Sequence, residues 1–136
     1  MEKKQPYTRA WRQGVESGCG PQVMIVGCDS GLRDAITYAL VSYGFRLNFF
    51  KSSLEALANV VIQPLDGIII DCDLAGTEGV ELIRRFRGQF PLAIIISMSR
   101  EDKGAAFLQA GANDFLQKPF VPYRLAMMLD GGDILS

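Results

Sequence analysis

The chain has no histidine in its 136 residues, so imidazole bases, Ser-His or Cys-His nucleophiles and histidine-held metals are excluded. Chemistry must run on carboxylates, hydroxyls, thiols and lysines. Such groups stand at a few points: Cys28 beside Asp29, the Asp71-Cys72-Asp73 triplet, Ser97 and Lys118. A carboxylate is a nucleophile without any base, and grouped carboxylates are ligands for hard cations. The three cysteines, Cys19, Cys28 and Cys72, are an odd number without zinc-site spacing and read as reduced thiols.

Positioning these groups falls to an alternation that begins after residue 20. Short β-branched runs bounded by Gly, Asp, Ser or Pro are separated by segments of helical period. The strands are expected at Gln22 to Gly27, Arg46 to Phe50, Gly67 to Asp71, Leu92 to Ser97 and Asp114 to Gln117. Four of the five are strongly apolar, as parallel strands covered on both faces must be. Helices are expected at Leu32 to Tyr43, Ser53 to Val60, Glu78 to Arg87, Lys103 to Ala110 and Pro122 to Leu129. Ser52 and Glu55 form a capping box, and Gly44 and Gly111 stand where C-caps belong. The fold class is therefore α/β: a doubly wound (βα)5 three-layer sandwich of flavodoxin type, with sheet order 2-1-3-4-5. Such sheets bind ligands at the carboxyl ends of their strands, which singles out Cys28, Asp29, Asp71, Ser97 and Lys118.

Composition narrows the class further. The length suits one domain, and an apolar content of 49% suffices for one core. Residues 1–20 read as a flexible leader, 21–130 as the domain and 131–136 as a tail. A formal charge of -1 gives no basic face for a phosphate backbone, so direct nucleic-acid binding is not expected. No apolar run spans a bilayer and no secretory segment precedes the cysteines, so the expected location is the cytoplasm, without membrane contact.

In this order the sequence resembles the receiver-domain family of bacterial response regulators, from about Gln22 to Leu129. The resemblance rests on Ile68-Ile69-Ile70-Asp71 through Leu74-Ala75-Gly76 to Gly79, and on Ala110-Gly111-Ala112-Asn113-Asp114-Phe115-Leu116-Gln117-Lys118-Pro119-Phe120. It implies a two-component signalling module, not an enzyme. Asp71 would be the phosphoacceptor, charged by a sensor histidine kinase or phosphotransfer protein. Ser97 would be the hydroxyl residue ending the fourth strand, and Lys118 the phosphoryl-pairing lysine before a cis proline. Phe115 would be an aromatic switch coupled to Ser97. Arg100, Gln117 and Tyr123 would lie on the face that meets an effector protein or a second copy.

The resemblance breaks at the metal. Receivers carry two adjacent acids after the first strand that hold Mg²⁺ with the acceptor. Here Gly27 and Cys28 fall on those positions, and only Asp29, one place later, is acidic. A thiol is a poor ligand for so hard an ion. Asp29 and Asp73 are the replacement candidates beside Asp71, although Asp29 also suits the N-cap of the first helix, and Asp73 a solvated loop. Weak or absent Mg²⁺ binding is expected. Met98 stands where a small residue is usual, so it either covers Asp71 or fills core.

Two further function classes stay open. One is a phosphorylation-independent interaction module of the same fold. The other is a small phosphatase working through an aspartyl phosphate, echoed by Asp71-Cys72-Asp73 through Thr77. A Cys28-Cys72 redox switch is a third idea, set against buried inert thiols. The kinase, target, pathway and oligomeric state are not encoded in any motif.

Overall fold

The computed structural model describes residues 20–58, 65–74 and 78–130. The leader up to residue 19, the tail from 131, residues 59–60 of the expected second helix and 75–77 of the acceptor motif lie outside the described residues.

Five strands, β1 (Gln22–Val26), β2 (Arg46–Phe50), β3 (Gly67–Asp71), β4 (Ile94–Ser99) and β5 (Asp114–Gln117), alternate with five helices. These are α1 (Ser30–Val41), α2 (Ser53–Ala58), α3 (Gly79–Gln89), α4 (Gly104–Ala110) and α5 (Tyr123–Leu129). All pairings are parallel, in the order β2-β1-β3-β4-β5, as the alternation requires. The chain starts at the middle of the sheet and reverses direction once, so the carboxyl ends of β1 and β3 lie side by side.

Strand alternation divides the core in two. Met24, Val26, Ile68, Ile70 and Ile95 pack under Ala56 of α2, Leu82, Ile83 and Phe86 of α3, and Phe107 of α4. Val23, Ile25, Ile69, Ile96 and Met98 pack under Ile36 and Leu40 of α1 and Leu125 and Leu129 of α5. The twelve largest fully buried side chains include Ile68, Ile69, Ile70, Ile95 and Ile96. Burying an Ile contributes about 1.5–3 kcal/mol, so these two central strands anchor the sheet.

The local punctuation works as its chemistry dictates. Gly111 caps α4 at φ 126, a conformation costly to residues with a Cβ, and Gly44 takes φ 91 in the turn closing α1. Ser52 Oγ accepts from Glu55 N at 3.2 Å, while Glu55 Oε1 reaches back to Lys51 N at 2.6 Å.

One element moves relative to expectation. β4 runs from Ile94 to Ser99 instead of Leu92 to Ser97. The cause is Arg87, whose guanidinium donates to the carbonyls of Phe90 (3.2 Å), Pro91 (2.9 Å), Ala93 (2.8 Å) and Gly111 (3.0 Å), and to Asn113 Oδ1 (2.6 Å). Those bonds bend residues 90–93 into a turn, and Leu92 is left 96% exposed. The strand starts late, and its pairing with β3 and β5 carries it on through Met98 and Ser99.

Candidate functional site

Asp71 is the last residue of β3 and its side chain has no exposed surface. A buried carboxylate needs donors on its oxygens, and two are supplied. Lys118 Nζ donates to Oδ2 at 2.7 Å, and the backbone N–H of Asp73 donates to Oδ1 at 3.0 Å. Lys118 follows β5 directly, and its own N–H donates to Ser99 O at 2.9 Å. The Lys118-Pro119 bond is cis, as the resemblance implied. Burial disfavours the Lys118 ammonium, but its hydrogen bond to Asp71, the charge of Asp71 and then the same two effects of Asp73 outweigh that. The net result is a raised pKa.

Asp73 lies at the centre of this arrangement and is not a solvated loop acid. Its side chain is 14% exposed, and Lys118 Nζ approaches its Oδ2 at 3.3 Å. Ser99 Oγ donates to Oδ1 at 3.0 Å, and the backbone N–H of Arg100 donates to Oδ2 at 2.9 Å. Desolvation works against the charge, yet the bonds from Ser99, Arg100 and Lys118 prevail and hold the carboxyl below the ordinary aspartate value.

The hydroxyl residue at the site is accordingly Ser99, and the expectation of Ser97 is corrected. Ser97 sits two places back inside β4, level with Ile70 and Phe115, fully buried, with its Oγ bonded to Asp114 O at 3.3 Å. Both serines lie on one face of the strand, so side-chain type did not separate them. The missed signal was the reach of the apolar run through Met98. Met98 itself is fully buried among Ile69, Ile96 and Leu116 and is level with Asp71, so it fills core beside the acceptor position.

At the end of β1 the chain takes a path unsuited to the missing acids. Gly27 and Cys28 have φ of 88 and 84, and for Cys28 such a conformation is strained. Asp29 Oδ1 accepts from Leu32 N at 2.9 Å, which makes it the N-cap of α1. The adjoining hollow, about 250 Å³, is lined by Gly27, Cys28, Arg33, Phe49, Lys51 and Leu74 among others, with the Arg33 guanidinium 4.4 Å from the Phe49 ring centroid.

The donor set was tested against Mg²⁺. Among the described residues no three acid, cysteine or histidine side chains are grouped to hold a metal ion. Asp29 caps a helix, Asp71 and Asp73 are bridged by Lys118, and the neighbouring hollow is lined by Arg33 and Lys51 as well as Glu55. The described residues therefore do not bring the expected metal trio of Asp29, Asp71 and Asp73 together as an octahedral oxygen shell requires.

Cys28 and Cys72, both half-buried, are held as thiols. Burial first, then the charge of Asp71, push both Cys28 and Cys72 up to about 12. Cys28 packs with the α1/α5 core and Cys72 with the α2/α3/α4 core, on opposite faces of the sheet. That separation argues against the redox pair.

Of the expected interface residues, Arg100 and Gln117 are joined by a bond from Gln117 Nε2 to Arg100 O at 3.1 Å. Phe115 rests on Phe107 with ring centroids 5.5 Å apart. Tyr123, half-exposed at the start of α5, accepts a hydrogen bond from Tyr43 Oη at 2.7 Å. Beside β5 lies an open cavity of about 500 Å³ lined by Asp102, Phe115, Gln117, Phe120, Val121 and Arg124 among others. No helix among the described residues is long and apolar enough to cross a membrane.

Comparison with known proteins agrees with the geometry. The family model "Response regulator receiver domain" matches residues 23–130. The phosphate regulon transcriptional regulatory protein PhoB of Pseudomonas aeruginosa is 30% identical over 115 residues, covering 81% of this chain and 50% of that protein. The transcriptional regulatory protein PrrA of Mycobacterium leprae is 32% identical over 111 residues, 79% of this chain and 46% of that one. The chain thus spans about half the length of such relatives. Among solved structures, a response regulator from Thermotoga maritima superposes with a TM-score of 0.70 at 28% identity, covering 80% of this chain and 93% of that one. The chemotaxis response regulator CheY4 of Vibrio cholerae gives 0.71 at 25%, covering 80% and 95%. With its sheet order, its strand-end Asp71-Lys118 pair and these matches agreeing, the chain belongs to the response regulator receiver domain family.

Proposed function

We propose that this receiver works as a protein-interaction module whose output does not depend on metal-assisted phosphorylation. One observation carries the reading: Lys118 bridges Asp71 and Asp73 at 2.7 and 3.3 Å, so the carboxylates that would hold Mg²⁺ already hold an ammonium. A phosphoryl dianion entering beside two carboxylates, with one lysine to offset them, meets about 4 kcal/mol of repulsion per unit pair at 4 Å and an effective dielectric of about 20. The face proposed for contact is the one around β5, where Arg100, Phe115 and Gln117 border the open cavity. Its partner is an effector protein or a second copy of the chain, in the cytoplasm. No catalytic turnover is assigned to this receiver.

Phosphoryl acceptance at Asp71 from a histidine kinase is the second reading, favoured by the 2.7 Å contact with Lys118 at the carboxyl end of β3. Titration with Mg²⁺ and then beryllofluoride, followed by amide shifts near Asp71, Ser99 and Phe115, separates the two. The interaction-module reading expects no saturable response at millimolar ligand. Saturable shifts at all three positions, lost in Asp71→Ala, would replace it with the phosphoacceptor.

A further inference from the structure

Three donors of different kinds converge on the Asp73 carboxylate: the Ser99 hydroxyl at 3.0 Å, the Arg100 backbone N–H at 2.9 Å and the Lys118 ammonium at 3.3 Å. A hydroxyl, an amide N–H and an ammonium directed at one point beside a nucleophilic carboxylate are the donors that a tetrahedral oxyanion needs for its equatorial oxygens. Asp73 is two residues past Asp71, so its carboxylate is delivered to that point by the chain itself. We propose that Asp73 is a built-in anion that occupies the oxyanion subsite next to Asp71 and holds the β4–α4 loop in its anion-bound arrangement without any phosphoryl group. The proposal rests on the interaction-module reading above and supplies its cause.

The loop follows from that contact. Arg100 is fastened to Asp73 by its N–H, and its guanidinium Nε stands 3.8 Å from the same carboxylate. Ser99 Oγ, while donating to Asp73, accepts from Glu101 N at 3.0 Å, and Arg100 O accepts from Gln117 Nε2 at 3.1 Å. The tether therefore runs from the β3 loop, through residues 99–101, to the edge strand β5 and the open cavity beside it. An anion supplied in cis by a two-residue link competes as an intramolecular ligand, at an effective concentration of millimolar order or above. An external oxyanion therefore meets both an occupied donor set and a like charge.

Removing Asp73 should vacate the subsite and release the loop. In Asp73→Ala, the Arg100 amide is expected to lose hydrogen-exchange protection by about tenfold or more, the loss of roughly one charge-assisted bond. Orthophosphate should then bind at least about tenfold tighter than to the wild-type chain. It should shift the Ser99, Arg100 and Lys118 amides and restore Arg100 protection. Restoration by a free oxyanion is the readout that a merely structural aspartate would not produce. Should Asp73→Ala fail to fold, the nearly isosteric Asp73→Asn turns an N–H2 toward part of the donor set, and a smaller gain in the same direction is expected. Unchanged Arg100 protection, phosphate shifts confined to other places, or no gain in phosphate affinity would overturn the proposal. A wild-type chain silent to beryllofluoride together with an Asp73 variant silent to phosphate removes this inference alone. A responsive wild-type chain removes the interaction-module reading as well.

Discussion

Replacing Lys118 by Met keeps the aliphatic stem and deletes the ammonium between Asp71 and Asp73. At 2.7 Å the gross attraction to Asp71 is about 6 kcal/mol at an effective dielectric of about 20. Desolvation of both ions offsets part of it. Asp71, with no exposed side-chain surface, would be left with the Asp73 N–H as its one remaining donor among the contacts described above. Breaking a buried pair from one side costs about 3–5 kcal/mol, and because 16% of the Lys118 side chain is exposed the lower figure applies. A loss of about 3 kcal/mol lowers Tm by about 12 °C in a domain of this size. Urea unfolding of wild type, Lys118→Met, Asp71→Asn and the double variant at neutral pH measures it. The double variant is expected to be about 2 kcal/mol more stable than the sum of the single changes predicts, since no charge is then stranded. A Lys118→Met chain within about 0.5 kcal/mol of wild type, or strictly additive changes, would refute the reasoning. The pH dependence has a definite sign. The raised pKa of Lys118 makes its contribution complete below the ordinary lysine value and lost as pH climbs through the folded value. The lowered pKa of Asp73 makes its contribution complete above the ordinary aspartate value and lost on acidification through the folded one.

Arg87→Ala removes five donated hydrogen bonds under the sheet and is expected to cost about 3 kcal/mol in urea unfolding. Arg87→Lys should recover little of it, because a single ammonium cannot span carbonyls that a planar fork reaches; near-complete recovery would contradict that account. In a Cys19→Ser background, Cys28 and Cys72 should resist an aromatic disulfide reagent at pH 8 while the denatured chain reacts at once, and mild oxidation should yield no Cys28-Cys72 bridge. Rapid native labelling of either thiol would show that burial does not protect it.

Strand positions were legible where apolar runs met hard punctuation. β3 is bounded by Gly67 and Asp71, and β2 and β5 are short runs carrying Leu and Phe, set off by Gly44 before the one and by Gly111 and Pro119 around the other. The Asp29 cap was legible too, because an acid three residues before Leu32 satisfies an orphan N–H by local geometry alone. β4 was misplaced because Leu92 and Ala93 look like strand residues, and only the guanidinium of Arg87, from another element, bends them out. The same shift hid Ser99. Asp73 looked like a loop acid because its three donors come from β4, the loop after it and the residue following β5, a convergence no local window contains. The pairing of Tyr123 with Tyr43 is also tertiary, spanning 80 positions.

The backbone turn at Gly27 and Cys28 makes the loss of the acidic pair hard to reverse. With φ of 88 and 84, restoring an acid at Gly27 would impose a Cβ on a left-handed residue, at roughly 1–2 kcal/mol, before any cation could compensate. An acid at Cys28 would inherit the strain already there, and its charge would face Asp71. Each single step toward a metal centre is therefore unfavourable on its own, and at Gly27 any residue with a Cβ meets the same strain. The missing acids are thus tied to the backbone itself: an acidic pair here would need a different path for the chain after β1, not two side-chain changes alone.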